Sequence, residues 1–324
     1  MTARADKHPF AAPSAVFVMG PTASGQSEFA FRLVESVGGA VISADSMQIY
    51  RGLDIGTAKE SAERRAVVPH YMIDVVDPDE EFSVAEYREG AFSAAKKAEK
   101  KGLLPIFVGG TGLYFESLFY PLSFGDTEKD DTLRRELSEE AETRGAEFMH
   151  AKLAALDAAT AQKLHPNDKK RVIRALEVVI SSGKPLSAAR DRSEDPDVIA
   201  VMFDPSDRKK LYERIDARTD AMFSEGLPEE IAALSPDFSL QSMQAIGYKE
   251  FASYADRIKD GKLEMTDAEL AEVRELIKKH TRNYAKRQLT WFRRYAFAAR
   301  FDVGDFDGAM SYVIKRLGDP AEKA

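Results

Sequence analysis

A glycine-rich loop near the amino terminus constrains the fold more than any other feature of this 324-residue sequence. An apolar run, Ala15–Met19, leads into the pattern Gly20-x-x-x-x-Gly25-x-Ser27, and the segment Glu28–Val37 has helical character. Glycines let the backbone turn tightly and aim N–H groups at a phosphate, and the following helix adds its dipole. The pattern therefore predicts a strand, a phosphate-binding loop and a helix in succession. A glycine-rich turn without a ligand is the alternative.

The loop departs from the phosphate-binding pattern of nucleotide-binding (ATP-binding) P-loop proteins at one position. That pattern has Lys before the final Ser or Thr, and this sequence has Gln26 there. Ser27 is placed to ligate a Mg²⁺ ion held by a diphosphate. We therefore predict a diphosphate site with one positive charge fewer than usual. Its residues are Gly20, Pro21, Thr22, Ala23, Ser24, Gly25, Gln26 and Ser27.

Composition excludes several classes of protein. The sequence has no cysteine, so it forms no disulfide and no thiolate metal site, and its five histidines lack metal-ligand spacing. No apolar run approaches the roughly 18–20 residues that span a bilayer, and Met1–Ala12 lacks the apolar core of a secretory signal. We expect a cytoplasmic protein, a monomer without a membrane partner, whose residues Met1–Ala12 are a short disordered segment.

Short apolar runs alternate with helical stretches, which predicts an α/β fold with a parallel sheet flanked by helices. The predicted strands are Ala15–Met19, Ala40–Ser43, Tyr71–Asp74, Leu104–Val108 and Val198–Phe203, with helices such as Val84–Lys100 between them. Between the fourth and fifth strands the pattern is helical, at Asp131–Gly145, Ala146–Leu156, Thr160–Leu164 and Lys169–Ser182. The predicted domains are a core of residues 13–122 and 197–318 and an all-helical insertion at 123–196. Long helices are predicted to continue to about Phe297.

Three segments follow predicted strands and should share one edge of the sheet. They are the glycine-rich loop, Asp45 after the second strand and Gly109–Gly112 after the fourth. Asp45 is a candidate general base or an acid near the metal, with a loop or helix-cap aspartate as the alternative. The Thr111 hydroxyl can bond a ligand at this edge, with a tight turn as the alternative. A packing role is favoured for Gln244–Glu250.

A basic, aromatic segment lies near the carboxyl terminus, although the formal net charge of the chain is −8. Residues 271–300 contain nine Lys or Arg against two Glu. A helix there would place Arg282 and Lys286 on a basic face. It would also form a buried stripe of Val273, Ile277, Tyr284, Trp291 and Tyr295. Basic residues interleaved with aromatics suit a nucleic-acid backbone, with a solvated charged face as the alternative.

Six motifs, in order along the chain, resemble those of the bacterial tRNA dimethylallyltransferases (tRNA isopentenyltransferases, the IPP transferase family). The motifs are Gly20–Gly25, Asp45–Arg51 with Asp54–Lys59, Pro69–Asp74, Gly109–Tyr114, Gln244–Glu250 and Thr281–Arg293. The resemblance runs from about Ala15 to Phe297 and implies a P-loop NTPase-like core. It also implies Mg²⁺-dependent transfer of a dimethylallyl group from dimethylallyl diphosphate to tRNA. The acceptor is N6 of the adenosine 3′ of the anticodon, and the product is N6-isopentenyladenosine.

The resemblance implies roles for single residues. Asp45 would accept the proton from N6, and Thr22 and Arg218 would complete the catalytic set at the diphosphate. The insertion and the basic helix would grip the anticodon arm. The residues expected to contact the tRNA are Asp45, Ser46, Met47, Gln48, Thr111, Lys170, Arg171, Val172, Ile173, Arg174, Arg282 and Lys286.

Gln26 departs from the family, which has Lys at this position. Loss of one charged contact to the leaving diphosphate costs on the order of 3 kcal/mol in the transition state, about a hundredfold in rate. We therefore expect a weakened or inactive transferase with intact fold and tRNA binding. Tyr71 also replaces a usual His, with little expected effect. Two other functions stay open: a P-loop kinase for a nucleotide or small metabolite, which Gln26 disfavours, and a non-catalytic tRNA-binding relic.

Overall fold

The computed structural model describes residues 8–120, 131–186 and 195–318. These residues divide into two compact units. The first comprises the described residues up to Leu118 and from Pro196 onward, and the second spans Phe119–Asp195. The sequence prediction for the helical insertion was 123–196.

A six-stranded sheet forms the centre of the first unit, with strand order β3-β2-β4-β1-β5-β8 and every pairing parallel. The strands are β1 (Val16–Met19), β2 (Gly39–Ser43), β3 (His70–Tyr71), β4 (Leu104–Gly109), β5 (Ile199–Phe203) and β8 (Ala299–Phe301). A separate hairpin pairs β6 (Ile258–Lys259) with β7 (Lys262–Leu263). The sheet confirms the predicted α/β, P-loop NTPase-like fold.

Helices cover the sheet, and two 3₁₀ segments, Ser242–Gln244 and Lys249–Arg257, precede the hairpin. In the first unit the helices are α1 (Gln26–Val37), α2 (Ala62–Val67), α3 (Val84–Lys100), α4 (Gly112–Phe119), α9 (Arg208–Ser224), α10 (Leu227–Leu234), α11 (Asp267–Phe292) and α12 (Phe306–Leu317). In the second they are α5 (Asp131–Arg144), α6 (Ala146–Leu156), α7 (Ala158–Ala161) and α8 (Lys169–Ser182).

The central strand β1 is buried on both faces, which explains its uninterrupted apolar sequence. Val16 and Val18 pack with α1 and α12 in one apolar cluster. Phe17 points to the other face, where its ring stacks on Phe107 with centroids 4.9 Å apart and meets Phe115 of α4 edge-on. Alternate residues of a strand face opposite sides, so one short segment anchors helices on both.

The second unit has its own apolar core. Leu137 of α5, Met149 and Leu153 of α6, and Val172 and Leu176 of α8 are each at most 2% exposed. A buried carboxylate, Glu177, accepts hydrogen bonds from the Arg134 guanidinium and pairs with Arg174 at 2.9 Å. The predicted helices Ala146–Leu156 and Lys169–Ser182 are confirmed.

The structure corrects several predicted boundaries. The third strand is His70–Tyr71 instead of Tyr71–Asp74, because Met72 and Asp74 adopt positive φ angles of 60° and 54° that end the extended backbone. The helix predicted at Thr160–Leu164 is Ala158–Ala161, which begins earlier because the Asp157 side chain accepts the Thr160 N–H.

The carboxyl-terminal part was also predicted incompletely. Helix α11 ends at Phe292, short of Phe297. It is followed by β8, a strand of the main sheet that was not predicted, and by α12. The segment between α10 and α11 contains 3₁₀ turns and a hairpin instead of long helices.

The amino-terminal segment is ordered where the structure describes it. Phe10 is 3% exposed, with its ring centroid 4.9 Å from that of Phe107 and 4.7 Å from that of Phe92. The prediction of disorder for Met1–Ala12 is therefore wrong from residue 8 onward, because the Phe10 ring packs against other aromatic rings. Residues 1–7 lie outside the described range.

Candidate active site

A cavity of about 500 Å³ opens beyond the carboxyl ends of β1, β2 and β4. It brings together the glycine-rich loop, Asp45–Gln48 and Gly109–Gly110. The prediction that these segments share one edge of the sheet is therefore confirmed. Helices α9 and α11 complete the wall with Arg214, Arg218, Tyr284 and Gln288.

The glycine-rich loop has the geometry of an anion site. Ala23 and Gly25 have φ angles of 64° and 91°, and α1 begins after Gly25 with no side-chain cap. The first N–H groups of a helix have no partner within it. Ser24 Oγ and Gln26 Nε2 are buried without a hydrogen-bond partner in the described chain. A Cβ placed on Gly20 would lie 2.8 Å from the first atom and 2.9 Å from the second, so both donors converge beside Gly20.

The predicted catalytic residues Asp45, Thr22 and Arg218 lie together in this cavity. The Arg218 guanidinium donates to Thr22 Oγ1. Burial raises the pKa of Asp45, against hydrogen bonds from the backbone N–H groups of Met47 and Gln48 and the charge of Arg218. Burial lowers the pKa of Arg218, against the charge of Asp45. A carboxylate with a raised pKa binds a proton more readily, as a general base requires.

The Thr111 hydroxyl holds the segment that follows β2. Its Oγ1 accepts the Ser46 N–H at 3.0 Å, while the Thr111 N–H donates to the Ala44 carbonyl at 3.1 Å. The Tyr284 hydroxyl also bonds Thr111, and burial raises the pKa of Tyr284. Thr111 therefore positions the residue next to Asp45, and it is not one of the residues that line the cavity.

Gln288 is a functional residue that sequence reasoning missed. This α11 side chain is 5% exposed. Its Oε1 accepts the Thr22 N–H at 2.9 Å, and its Nε2 donates to the Gly110 carbonyl at 2.8 Å. One amide thus joins the loop after β1 to the loop after β4. The close approach also explains a glycine, because a Cβ on Gly110 would lie 2.2 Å from Gln288 Nε2. The only sequence signal was a polar residue within a helical apolar stripe.

Arg214 of α9 was also missed. Its Nε donates to the Ala23 carbonyl at 2.8 Å, so it grips the glycine-rich loop one helical turn from Arg218. Met222, Ile246 and Ile277 add apolar side chains to the cavity wall. The cavity therefore combines an anion-binding end with an apolar side, as an amphiphilic phosphorylated ligand needs.

Two motifs of the predicted set have structural roles. Glu230 accepts the N–H groups of Asp54, Ile55 and Gly56 at 2.7–3.2 Å and the Tyr248 hydroxyl at 2.6 Å. A Cβ on Gly56 would meet the Tyr248 ring at 2.4 Å. Asp54–Lys59 and Gln244–Glu250 thus pack against each other, as favoured for the second from sequence, and both also contribute residues to the cavity wall.

The residues present suit Mg²⁺ only together with a diphosphate. Ser27 lies on the cavity wall in the first turn of α1. Among the described residues no cluster of three or more His, Cys, Asp or Glu is placed to hold a metal. Mg²⁺ prefers oxygen ligands and is commonly bound through substrate phosphates with few protein contacts. The Ser27 hydroxyl with diphosphate oxygens fits that donor set.

The residues predicted to contact tRNA have diverse environments. Met47 and Gln48 line the cavity, and the Gln48 side chain also accepts from Ser43 Oγ at 3.0 Å. On α8, Lys170 and Arg171 are exposed and Ile173 is half-buried. Val172 is 1% exposed in the core of the second unit, so its side chain is not available to a partner.

The basic face of α11 is smaller than the sequence suggested. Lys278 pairs with Asp220 at 2.8 Å, Arg293 with Asp204 at 2.6 Å, and Arg282 with Asp216. Lys286 and Arg287 remain exposed. The predicted buried stripe is also different, because Tyr284 lines the cavity and Trp291 is half-buried, while Val273, Ile277, Ala285, Leu289 and Phe292 are buried.

Comparison with known proteins identifies the family. The model described as IPP transferase matches residues 48–295. The chain belongs to the IPP transferase family. A tRNA dimethylallyltransferase of Geobacter sulfurreducens is 46% identical over 86% of this chain and 88% of its own. One from Pelotomaculum thermopropionicum is 47% identical over 86% and 87%.

Solved structures support the same family. The tRNA isopentenylpyrophosphate transferase of Bacillus halodurans has a TM-score of 0.67 at 36% identity and covers 96% of this chain and 98% of its own. A eukaryotic dimethylallyltransferase acting on tRNA has a TM-score of 0.76 at 26% identity, over 95% and 78%. No helix in the described part of the chain is long and apolar enough to cross a membrane.

Proposed function

We propose that this protein transfers the dimethylallyl group of dimethylallyl diphosphate to N6 of the adenosine 3′ of the anticodon in tRNA. One observation carries the proposal: Asp45 lies in the same cavity as an uncapped glycine-rich loop with unpartnered donors. A base and an anion site in one cavity suit displacement of a diphosphate by an amine. The names of the relatives give the substrate class.

The bond changes follow from these positions. The N6 lone pair attacks C1 of the dimethylallyl group, the bond from C1 to the diphosphate oxygen breaks, and Asp45 accepts the N6 proton. Met47 and Gln48 N–H groups orient the Asp45 carboxylate. The acceptor adenine of the tRNA must leave its stack to reach a cavity of this kind.

The leaving diphosphate gains negative charge as the bond breaks, and the loop stabilises it. Backbone N–H groups at the start of α1, the Ser24 hydroxyl and the Gln26 amide are the donors on the protein side. Arg218 adds charge and holds Thr22 through its hydroxyl. Mg²⁺ bound to the diphosphate and the Ser27 hydroxyl would supply further positive charge. Donors aimed at developing charge lower the barrier without reorganisation.

A P-loop kinase is less well supported. Phosphoryl transfer depends on the lysine that Gln26 replaces, and the named relatives are dimethylallyltransferases. A binding relic would keep the same fold but would not need Asp45 in the cavity. We further propose that the tRNA contacts run through Met47, Lys170, Arg171 and Lys286, and that the protein acts as a monomer.

The proposal is tested with purified protein, Mg²⁺, dimethylallyl diphosphate and unmodified tRNA, followed by mass spectrometry of nucleoside digests. We expect a mass increase at the adenosine 3′ of the anticodon, lost in Asp45→Asn. An Asp54→Asn variant serves as control, because Asp54 is not on the cavity wall. Binding of tRNA without modification in any condition would leave only the relic.

A further inference from the structure

We propose that Arg214 supplies the positive charge that the diphosphate site lacks at Gln26. This inference rests on the proposed function and concerns a residue to which neither the motifs nor the family comparison assigns a role. Four features of the described residues carry it: the position of Arg214, its free charge, the unpartnered donors of the loop that it contacts and its spacing from Arg218.

Arg214 is held at the loop. Its Nε donates to the Ala23 carbonyl at 2.8 Å, which fixes the guanidinium plane against the backbone. A Cβ on Gly25 would lie 3.6 Å from one terminal nitrogen of Arg214. Gly25 is the residue before α1, so this nitrogen lies near the start of the helix. The side chain lines the cavity.

The charge of Arg214 is not used by another group. Within the described part of the chain it forms no ion pair with a carboxylate, unlike Arg64, which pairs with Glu28 at 2.9 Å and Glu60 at 3.3 Å. Its terminal nitrogens remain available, because only Nε is engaged. A guanidinium keeps its charge and binds phosphate oxygens with two donors in one plane.

The loop that Arg214 contacts also holds two unpartnered donors, which lie beside Gly20. Ser24 is 1% exposed, its Oγ has no partner in the described chain, and the residue lines the cavity. Gln26 Nε2 is likewise buried and unpartnered. Buried donors without acceptors are rare in proteins and indicate a bound ligand or water. These two donors are neutral, so the positive charge must come from outside the loop.

Helix α9 provides two cations on one face. Arg214 and Arg218 are four residues apart, so their side chains lie one turn apart on the same side of α9. Arg218 reaches Thr22 and Arg214 reaches Ala23, so they grip adjacent loop residues. A P-loop lysine would bring its charge from inside the loop. Here the positive charge comes from α9, outside the loop, and it offsets the loss expected from Gln26.

The test is a double-substitution cycle. Arg214→Gln removes the charge but keeps an amide for the Ala23 carbonyl, and Arg214→Lys keeps the charge. Both are made in the native chain and in Gln26→Lys. The control is Lys209→Gln, on the same helix, where the side chain is 85% exposed and away from the cavity. Two readouts are needed: kcat/KM for transfer to tRNA, and the affinity for inorganic diphosphate with Mg²⁺ by titration calorimetry.

We expect Arg214→Gln to lower kcat/KM and diphosphate affinity about 30- to 100-fold in the native chain, as loss of a charged transition-state contact does. In Gln26→Lys the same change should cost about threefold or less, because lysine restores the charge. Arg214→Lys should retain most activity, and Lys209→Gln all of it. An equal loss in both backgrounds would show that Arg214 only shapes the loop, and an unchanged Arg214→Gln would also overturn the proposal.

The two readouts separate this inference from the proposed function. If no variant modifies tRNA but diphosphate affinity depends on Arg214 as expected, the anion site is right and the transferase activity is wrong. If tRNA is modified normally while Arg214→Gln binds diphosphate like the native chain, the transferase stands and the role of Arg214 is wrong. Equal melting temperatures of all variants would confirm that none is misfolded.

Discussion

Replacement of Gln288 by Leu tests whether one amide holds the two ligand loops in register. The change removes the acceptor for the Thr22 N–H and the donor for the Gly110 carbonyl, at 2.9 and 2.8 Å in the native chain. Each buried polar group left without a partner costs about 1–3 kcal/mol. Because the Thr22 N–H borders the cavity, water can replace part of its bond. We therefore expect a loss of about 2–3 kcal/mol in the free energy of unfolding.

The effect on catalysis should exceed the effect on stability. Thr22 belongs to the diphosphate loop, and a displacement of about 1 Å at such a position can cost about a hundredfold in rate. We expect kcat to fall by that factor, and the melting temperature to fall by about 4–6 °C. Thermal unfolding by circular dichroism and the tRNA digest assay give the two quantities.

Two further variants make this prediction specific. Gln288→Glu keeps an acceptor for Thr22 but places a carboxylate beside the Gly110 carbonyl, so it should lose activity with only part of the stability loss. Thr290→Ala, exposed on the same helix, should change neither quantity. A Gln288→Leu protein with native kcat would refute the idea that this residue positions the loop, and a native melting temperature would refute the hydrogen-bond estimate.

Four other predictions concern residues of the first and second units. Asp45→Asn should lower kcat about 10²- to 10⁴-fold without weakening tRNA binding by filter assay. Because the Asp45 pKa lies above the usual 3.8 and only the deprotonated form accepts a proton, native kcat/KM should fall as pH drops through that raised value; a profile that stays flat down to 3.8 would contradict the assignment. Glu230→Ala should destabilise the protein by about 3 kcal/mol, because three backbone N–H groups and a tyrosine hydroxyl lose a charged acceptor; the exposed neighbour Glu229→Ala should not. The double variant Lys170→Gln, Arg171→Gln should bind every tRNA more weakly, whatever its sequence, and the slope of log affinity against log salt concentration should be reduced by about 2. The control Lys163→Gln, exposed in the same unit, should leave the slope unchanged.

The sequence predicted the fold well where local patterns and the sheet agree. Strands β1, β2, β4 and β5 are buried and apolar, and each has a clear signal. Of the edge strands, β3 was predicted with wrong bounds and β8 was not predicted, since they are two and three residues long and only partly buried. Edge strands need few apolar residues, so their pattern does not stand out. The packing of Phe10 was not predicted for a different reason, because it depends on rings distant in the sequence.

Site residues were predicted where a motif directly follows a strand. They were missed where a helix distant in the sequence contributes a side chain. Asp45, Thr111 and the glycine-rich loop lie on local signals. Gln288 and Arg214 come from α11 and α9, and their partners are 266 and 191 residues away along the chain. A helical periodicity shows which face is buried but not which backbone atom it meets. The ion pairs that reduce the basic face of α11 are also non-local, since Asp216 and Asp220 belong to α9 and Asp216 lies 66 residues from Arg282.

Helix α11 has a consequence for how the two substrates bind. On its buried side Gln288 fixes the position of Thr22 and Gly110, and its exposed side carries Lys286, which is not on the cavity wall. A rigid helix cannot move one side without the other. If RNA docks on the exposed side and a diphosphate binds at the loop, their free energies are linked, and each changes the affinity of the other by the same factor. In that case a single helix couples the binding of two chemically unrelated substrates before they react.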